Sequence, residues 1–155
     1  MKKVSLDTWI QLLGMVGLLG GLIFVGLEMK QSQLIALAAQ QQARVDTFTN
    51  FTSSLTEAGI SNQQLLAMAS GRIEVTEDYE AALDNLAHFS WWVYENDFLQ
   101  YTLGLMDDEI WAVKLRPLQS TYNFCNIRRI WNGRRNGLDK RFVALVESFP
   151  DECTE

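Results

Sequence analysis

Residues 8–27 read TWIQLLGMVGLLGGLIFVGL, which is twenty consecutive residues without a charged side chain. At about 1.5 Å of rise per residue, a helix of this length crosses a hydrocarbon core of about 30 Å. A cleavable secretory signal is one alternative, but such signals have a shorter apolar core and a small-residue cleavage site, which this run lacks. A buried core helix of a soluble protein is the second alternative, and it is disfavoured because the run has no polar face at helical spacing. The sequence therefore predicts that residues 1–30 form a retained transmembrane anchor.

Three glycines share one face of this predicted membrane helix. Gly17 and Gly21 form a G-x-x-x-G pair, and Gly14 lies on the same face. Glycine lets two helix backbones approach closely and so favours association in lipid, although it is also common in membrane helices generally. Glu28 follows Gly21 at a sevenfold interval, so a ring of such helices would form an acidic constriction. We therefore expect self-association or docking to a membrane partner, with an oligomeric pore acting in stress or phage defence as the alternative.

Helix-forming residues continue beyond the apolar run. The first clear stop is Gly59, so one helix, or two nearly collinear ones, is expected from about 6 to 57. This predicts an anchor (1–30), a helical stalk (31–58) and a helical bundle (59–155). The predicted oligomer interface joins the three glycines to further residues, which are Glu28, Leu34, Val45, Phe48 and Leu55.

The rest of the chain is predicted to be all-α, because proline occurs only at positions 117 and 150 and strand-like alternation is absent. Capping residues and glycines predict a helix over about 62–70 and another over about 76–103. A third helix is capped by Asp107 and is kinked or ended by Pro117. Two more helices are predicted over 126–136 and 139–149. Apolar residues recur at helical spacing and predict a bundle core. They include Leu83, Leu86, Phe89, Trp91, Val93, Tyr94, Phe98, Tyr101, Phe124, Ile127, Ile130, Trp131, Phe142, Leu145, Val146 and Phe149.

Charge is segregated along the predicted bundle. The chain has 19 acidic and 13 basic residues, a net charge of −6, which argues against a general nucleic-acid-binding protein. Ten acids lie between Glu74 and Glu109, and eight cations lie between Lys114 and Arg141. Basic helices packed beside acidic ones explain this pattern, and a contact surface for anionic lipid, a partner or RNA is the alternative. That surface would contain Arg128, Arg129, Arg134, Arg135, Lys140 and Arg141.

Residues suited to catalysis or metal binding are sparse. His88 is the only histidine, and Asp84 lies one helical turn before it, so a histidine–carboxylate contact is geometrically easy. We interpret His88 as structural and predict no catalytic residue, metal or cofactor. A hydrolase or nuclease using His88 and the basic helices is the alternative. Cys125 and Cys153 match no metal or redox spacing, and they would form a disulfide in an oxidising compartment or two free thiols in a reducing one.

Three groups of motifs run through most of the chain. They are LIFVGLEMKQS at 22–32, WVYEN at 92–96 with GLMDDEIW at 104–111, and RRIW at 128–131 with FVALV at 142–146. Together they resemble the motifs of a large family of small bacterial single-pass membrane proteins of unassigned function. The resemblance implies a membrane-anchored helical bundle with no established activity. The architecture is also similar to that of a membrane-pore accessory protein of RNA-targeting CRISPR systems, whose relatives carry an R-x(4–6)-H motif that this chain lacks.

Two observations about the orientation in the membrane oppose each other. Lys2 and Lys3 precede the apolar run, whereas Lys30 and then Arg44 follow it; this small excess of basic residues on the first flank favours a cytoplasmic N-terminus with the bundle outside. The resemblance favours a cytoplasmic bundle, because the relatives often carry more arginine just after the membrane segment. We take the cytoplasmic bundle as the prediction and the periplasmic one as the alternative. The predicted function is that of a non-enzymatic, single-pass protein of the bacterial inner membrane, whose partners are the lipid bilayer and either its own copies or another membrane protein.

Overall fold

The computed structural model describes residues 5–153, and these form helices joined by short loops. The helices are α1 (Leu6–Glu57), α2 (Asn62–Ala69), α3 (Glu77–Thr102), α4 (Asp108–Tyr122), α5 (Arg128–Arg134) and α6 (Lys140–Glu147), with 3₁₀ segments at Cys125–Ile127 and Arg135–Gly137. No β-strand occurs among the described residues. The predicted fold class, a long N-terminal helix followed by a small helical bundle, is confirmed.

The chain divides into two compact units between Thr47 and Phe48. We call the described residues 5–47 the N-terminal segment and the described residues 48–153 the head. The head contains the last ten residues of α1 together with α2 to α6. The predicted junction of stalk and bundle, at residues 58 and 59, therefore lies within the head.

Both ends of α1 follow from local sequence. At its start, the Ser5 hydroxyl accepts a hydrogen bond from the Thr8 backbone N–H at 3.3 Å, as an N-cap residue does. At its end, Gly59 has a φ of +70°, and the Ile60 N–H donates to the Leu55 carbonyl at 2.8 Å. Glycine adopts this left-handed conformation without steric cost. The predicted span of about 6 to 57 is thus confirmed as one helix.

Pro117 lies inside α4 and does not end it, because the helix continues to Tyr122. A proline removes the hydrogen bond from its own nitrogen to the carbonyl four residues earlier. That carbonyl belongs to Val113, which is 75% exposed, so water reaches this side of the helix. On the other side, Leu118 and Tyr122 are buried and hold the last turns of α4 against the core. Packing on one face and hydration on the other explain why the helix passes through the proline.

Residues 126–136 do not form the single predicted helix. They lie in the 3₁₀ segment Cys125–Ile127, in α5, and in the second 3₁₀ segment Arg135–Gly137. Asparagine and glycine recur here, at Asn132 and Gly133 for example, and both have low helix propensity. Tertiary contacts rather than local preference therefore shape this part of the chain.

The core of the head is built around tryptophan. Trp91 and Trp131 are each 1% exposed, and their ring centroids lie 4.4 Å apart. Tyr122 and Phe142 approach Trp131 edge to face, with centroids at 6.0 Å and 6.3 Å. Among the predicted core residues, Leu83, Leu86, Phe98, Ile127, Ile130 and Val146 are also buried.

The N-terminus of α6 is held by Asp139, which is its N-cap residue. Its carboxylate accepts the backbone N–H of Arg141 at 2.8 Å and lies 2.9 Å from the Arg141 guanidinium. Hydrogen bonds from the side chain and then the backbone of Arg141 lower the pKa of Asp139 from 3.8 to about 2. The Asp139 backbone N–H in turn donates to Glu95 on α3 at 2.7 Å, so this cap ties α6 to α3.

Lowering the pH should remove the contribution of Asp139 to stability. Because its folded pKa of about 2 lies below the ordinary 3.8, the contribution is complete above the ordinary value and is lost as the pH falls through 2. Asp139→Asn keeps a capping side chain but does not titrate. We expect the difference in thermal unfolding midpoint between the two proteins to shrink as the pH is lowered across this window. A difference that stays constant contradicts the proposed ion pair.

Candidate functional site

The glycine face of α1 is open. A Cβ atom built at Gly14, Gly17 or Gly21 would meet no atom within 4 Å outside the local helix backbone. Successive residues of an α-helix are about 100° apart, so these three positions fall within about 60° of one another. Gly26 lies about 180° from Gly17 by the same spacing. The structure thus places the three predicted glycines on one face and gives a matched position on the opposite face.

The other predicted interface residues do not share one environment. In the N-terminal segment, Glu28 is exposed, and Leu34 and Val45 are 59% and 57% exposed. Phe48 belongs to the head and is also exposed. The prediction that Leu55 lies at the oligomer interface needs correction, because Leu55 is only 7% exposed and lies in the core of the head. A side chain enclosed in this way has no surface for another chain, and we remove it from the predicted interface.

The basic residues of the head are mostly engaged within it. Arg129 bonds with Asp84, Arg135 with Glu147 at 2.7 Å, and Arg141 with Asp139. The Arg129–Asp84 pair joins α5 to the acidic α3, as expected if basic helices pack beside acidic ones, whereas the other two pairs lie within residues 135–147. Lys140 is exposed, and it stays a predicted contact for an anionic surface.

Arg128 joins the C-terminal residues to the core. Its guanidinium makes two hydrogen bonds to Asp151, at 2.7 Å and 2.9 Å, and covers the ring of Tyr122 at 3.7 Å from the centroid. The hydrogen bonds from Arg128 hold the pKa of Asp151 below its usual range. Bidentate pairs of this kind are geometrically specific, so Arg128 has a structural role in this protomer.

A disulfide joins Cys125 to Cys153, with the two Cα atoms 5.4 Å apart. The Asn123 side chain adds two hydrogen bonds to the same C-terminal residues, to the Pro150 carbonyl and from the Glu152 N–H, each at 3.1 Å. The sequence left a disulfide and two free thiols as alternatives. The fold brings the C-terminal residues beside the first 3₁₀ segment, and the two sulfur atoms meet there.

His88 contacts an arginine, not the carboxylate that lies one helical turn before it. Its Nδ1 atom lies 3.0 Å from Nη1 of Arg134, and the same guanidinium lies 4.7 Å from the ring centroid of Trp92. The carboxylate expected for His88, that of Asp84, bonds with Arg129. This arrangement is a surface packing contact between α3 and α5, in line with the structural interpretation of His88.

The head contains a cavity of about 290 Å³ that was not among the predictions from the sequence. Its wall includes Phe51 and Phe89, whose rings stack with centroids 4.2 Å apart. Most of the remaining wall is apolar, and it includes Phe48, Leu66, Leu86, Val93, Phe124 and Ile127. Ligand cavities in proteins have this composition, an apolar wall with a few placed polar groups.

The polar groups of the cavity wall come from α2, α3 and α4, and they are Asn62, Ser90, Tyr94, Asp97, Lys114 and Thr121. The side chain of Asp97 is 0% exposed and bonds at 2.5 Å with Lys114, whose side chain is 28% exposed. Beside them, burial raises the pKa of the Tyr94 hydroxyl, which is hydrogen-bonded to Thr121. A signal for this site was present in the sequence, since Asp97 interrupts the aromatic stripe between Tyr94 and Phe98. Charge at a core position of a helix requires a partner on a neighbouring element.

Among residues 5–153, no group of three or more His, Cys, Asp and Glu side chains could hold a metal ion. No family model, curated protein or solved structure matches this chain.

Proposed function

We propose that this chain is a single-pass membrane protein without catalytic activity, and that α1 both anchors it in the bilayer and pairs with α1 of a second copy. The observation that carries the proposal is the apolar part of α1. A stretch of 18 residues in this helix has a mean hydropathy of 2.2, and none of that stretch is buried among the described residues. A soluble protein rarely leaves so large an apolar surface in water, whereas a lipid bilayer covers it.

The glycine face supports pairing. Apolar side chains have no hydrophobic preference for one another over lipid tails, so helices in membranes associate by close packing of their backbones. Glycine at positions 14, 17 and 21 leaves a shallow groove along one side of α1. A second α1 helix would fit such a groove, whereas a helix without it would be held apart by its side chains.

Replacing Gly17 and Gly21 together with isoleucine should weaken self-association by about tenfold or more, because the added side chains separate the two backbones. The measurement is the mass distribution of the purified protein in mild detergent over a range of protein-to-detergent ratios. Gly26→Ile is the matched control, since it makes the same change on the opposite face. Equal masses for all three proteins, or an equal loss of association in the control, would count against pairing through this face.

For the orientation, we propose that the head lies on the outer side of the membrane, in the periplasm. Disulfides persist in oxidising compartments and are rare in the cytosol, and the head contains the pair Cys125–Cys153. Lys2 and Lys3 on the other flank of the anchor favour the same orientation, because basic residues tend to stay in the cytoplasm. Two independent features thus support the alternative over the cytoplasmic head that the resemblance favoured.

Rapid acid trapping of cellular thiols tests this orientation. We expect the protein from intact cells to take up no polymer-linked maleimide before reduction and two such groups after it, since Cys125 and Cys153 are its two cysteines. Cys153→Ser is the positive control, because it leaves Cys125 free to react without reduction. Two adducts on the unreduced wild-type protein would place the head in the cytoplasm.

A further inference from the structure

The cavity of the head is a candidate binding site that does not depend on pairing of α1. It is reachable from solvent, since wall residues such as Phe51, Leu66, Phe89 and Phe124 are only half-buried. Its volume of about 290 Å³ lies near the lower end of the range found for small-molecule sites.

We propose that this cavity binds a small, uncharged, largely apolar molecule that carries one alcohol or carbonyl oxygen. The small size follows from the volume of about 290 Å³, which lies near the lower end of the range found for small-molecule sites. The apolar character follows from the stacked rings and aliphatic side chains that form most of the wall. The Ser90 and Thr121 hydroxyls in the same wall already donate to backbone carbonyls of their own helices.

The polar end selects the functional group. Asp97 and Lys114 carry opposite charges 2.5 Å apart, so together they favour neither an anion nor a cation. An ammonium group has three N–H donors, and the bond to Asp97 uses one of them. Another N–H can therefore donate to an oxygen atom of a bound molecule. The Asp97 carboxylate would repel a carboxylate placed at the same point.

Three probes of equal chain length test this selectivity: octan-1-ol, octanoate and octylammonium. Binding to the full chain in lipid nanodiscs is measured by saturation-transfer NMR, with empty nanodiscs subtracted. We expect the wild-type protein to bind octan-1-ol more tightly than either charged probe. Asp97→Asn leaves the charge of Lys114 unbalanced, and octanoate should then gain about tenfold relative to octan-1-ol. An unchanged order of the three probes in this variant would overturn the assignment of the polar end.

A matched pair of variants tests the location. Val93→Phe adds a ring inside the cavity wall, whereas Val113→Phe makes the same change at a residue that is 75% exposed. We expect octan-1-ol to bind Val93→Phe at least about tenfold more weakly, because the ring displaces methylene groups of the ligand, and to bind Val113→Phe as it binds the wild type. If near-UV circular dichroism shows that Val93→Phe is unfolded, Ser90→Leu in the same wall takes its place. Equal binding by the folded cavity variant and Val113→Phe would overturn the proposal.

Discussion

Lys114→Met is expected to lower the free energy of unfolding of the head by about 3–5 kcal/mol. The substitution removes the ammonium group that faces the Asp97 carboxylate, which is 0% exposed. A carboxylate kept ionised inside a protein needs a nearby cation, since the interior solvates charge poorly. Urea unfolding of the full chain in nanodiscs, followed by tryptophan fluorescence, measures the change.

The double variant Asp97→Leu and Lys114→Met separates the ion pair from simple packing. Replacing both partners of a buried pair with apolar side chains is often neutral or stabilising. We expect the double variant to regain most of the stability that Lys114→Met loses. If the double variant is as unstable as the single one, the loss comes from packing around α4 rather than from the charge of Asp97.

Trp131→Ala is expected to cost a similar amount, about 3–5 kcal/mol. Trp131 is 1% exposed and makes ring contacts with Trp91, Tyr122 and Phe142. Its removal leaves a cavity between α3, α4 and α6 that the surrounding helices cannot fill without moving. The same urea unfolding measurement applies, and a folded domain of this size has only about 5–15 kcal/mol of stability to lose.

Trp92→Ala is the matched control for this substitution. Trp92 is 60% exposed, and its described ring contact is with the guanidinium of Arg134. A surface cation–π contact is worth about 0.5–1 kcal/mol, so the control should lose no more than that. Equal losses at Trp92 and Trp131 would contradict the core described for the head.

Local signals in the sequence were sufficient where a short motif determines the backbone. Asp107 caps its helix and Gly59 ends its helix with positive φ, both as predicted. Ser5 and Gly104 have the same roles at the start of α1 and the end of α3. Each of these outcomes depends on residues within one or two turns. The spacing of apolar residues in α3 likewise predicts that Leu83, Leu86 and Phe98 are buried, because a helix repeats its face every 3.6 residues.

Features that depend on contacts between distant parts of the chain could not be predicted from local sequence signals. Pro117 is tolerated inside α4 because Leu118 and Tyr122 on the opposite face of the helix pack against the core. Leu55 is buried because α1 continues into the head. The disulfide requires the C-terminal residues to lie beside Cys125, although 28 positions separate the two cysteines. The cavity requires four helices to meet. None of these arrangements has a signature at short sequence separation.

The intact mass of the protein retained in carbonate-washed membranes tests most directly whether α1 is an uncut membrane helix. When the 155-residue chain is expressed, we expect the retained species to keep its full mass of 17.7 kDa. Recovery in the wash, or a shorter species that has lost the residues up to about Leu27, would contradict this account.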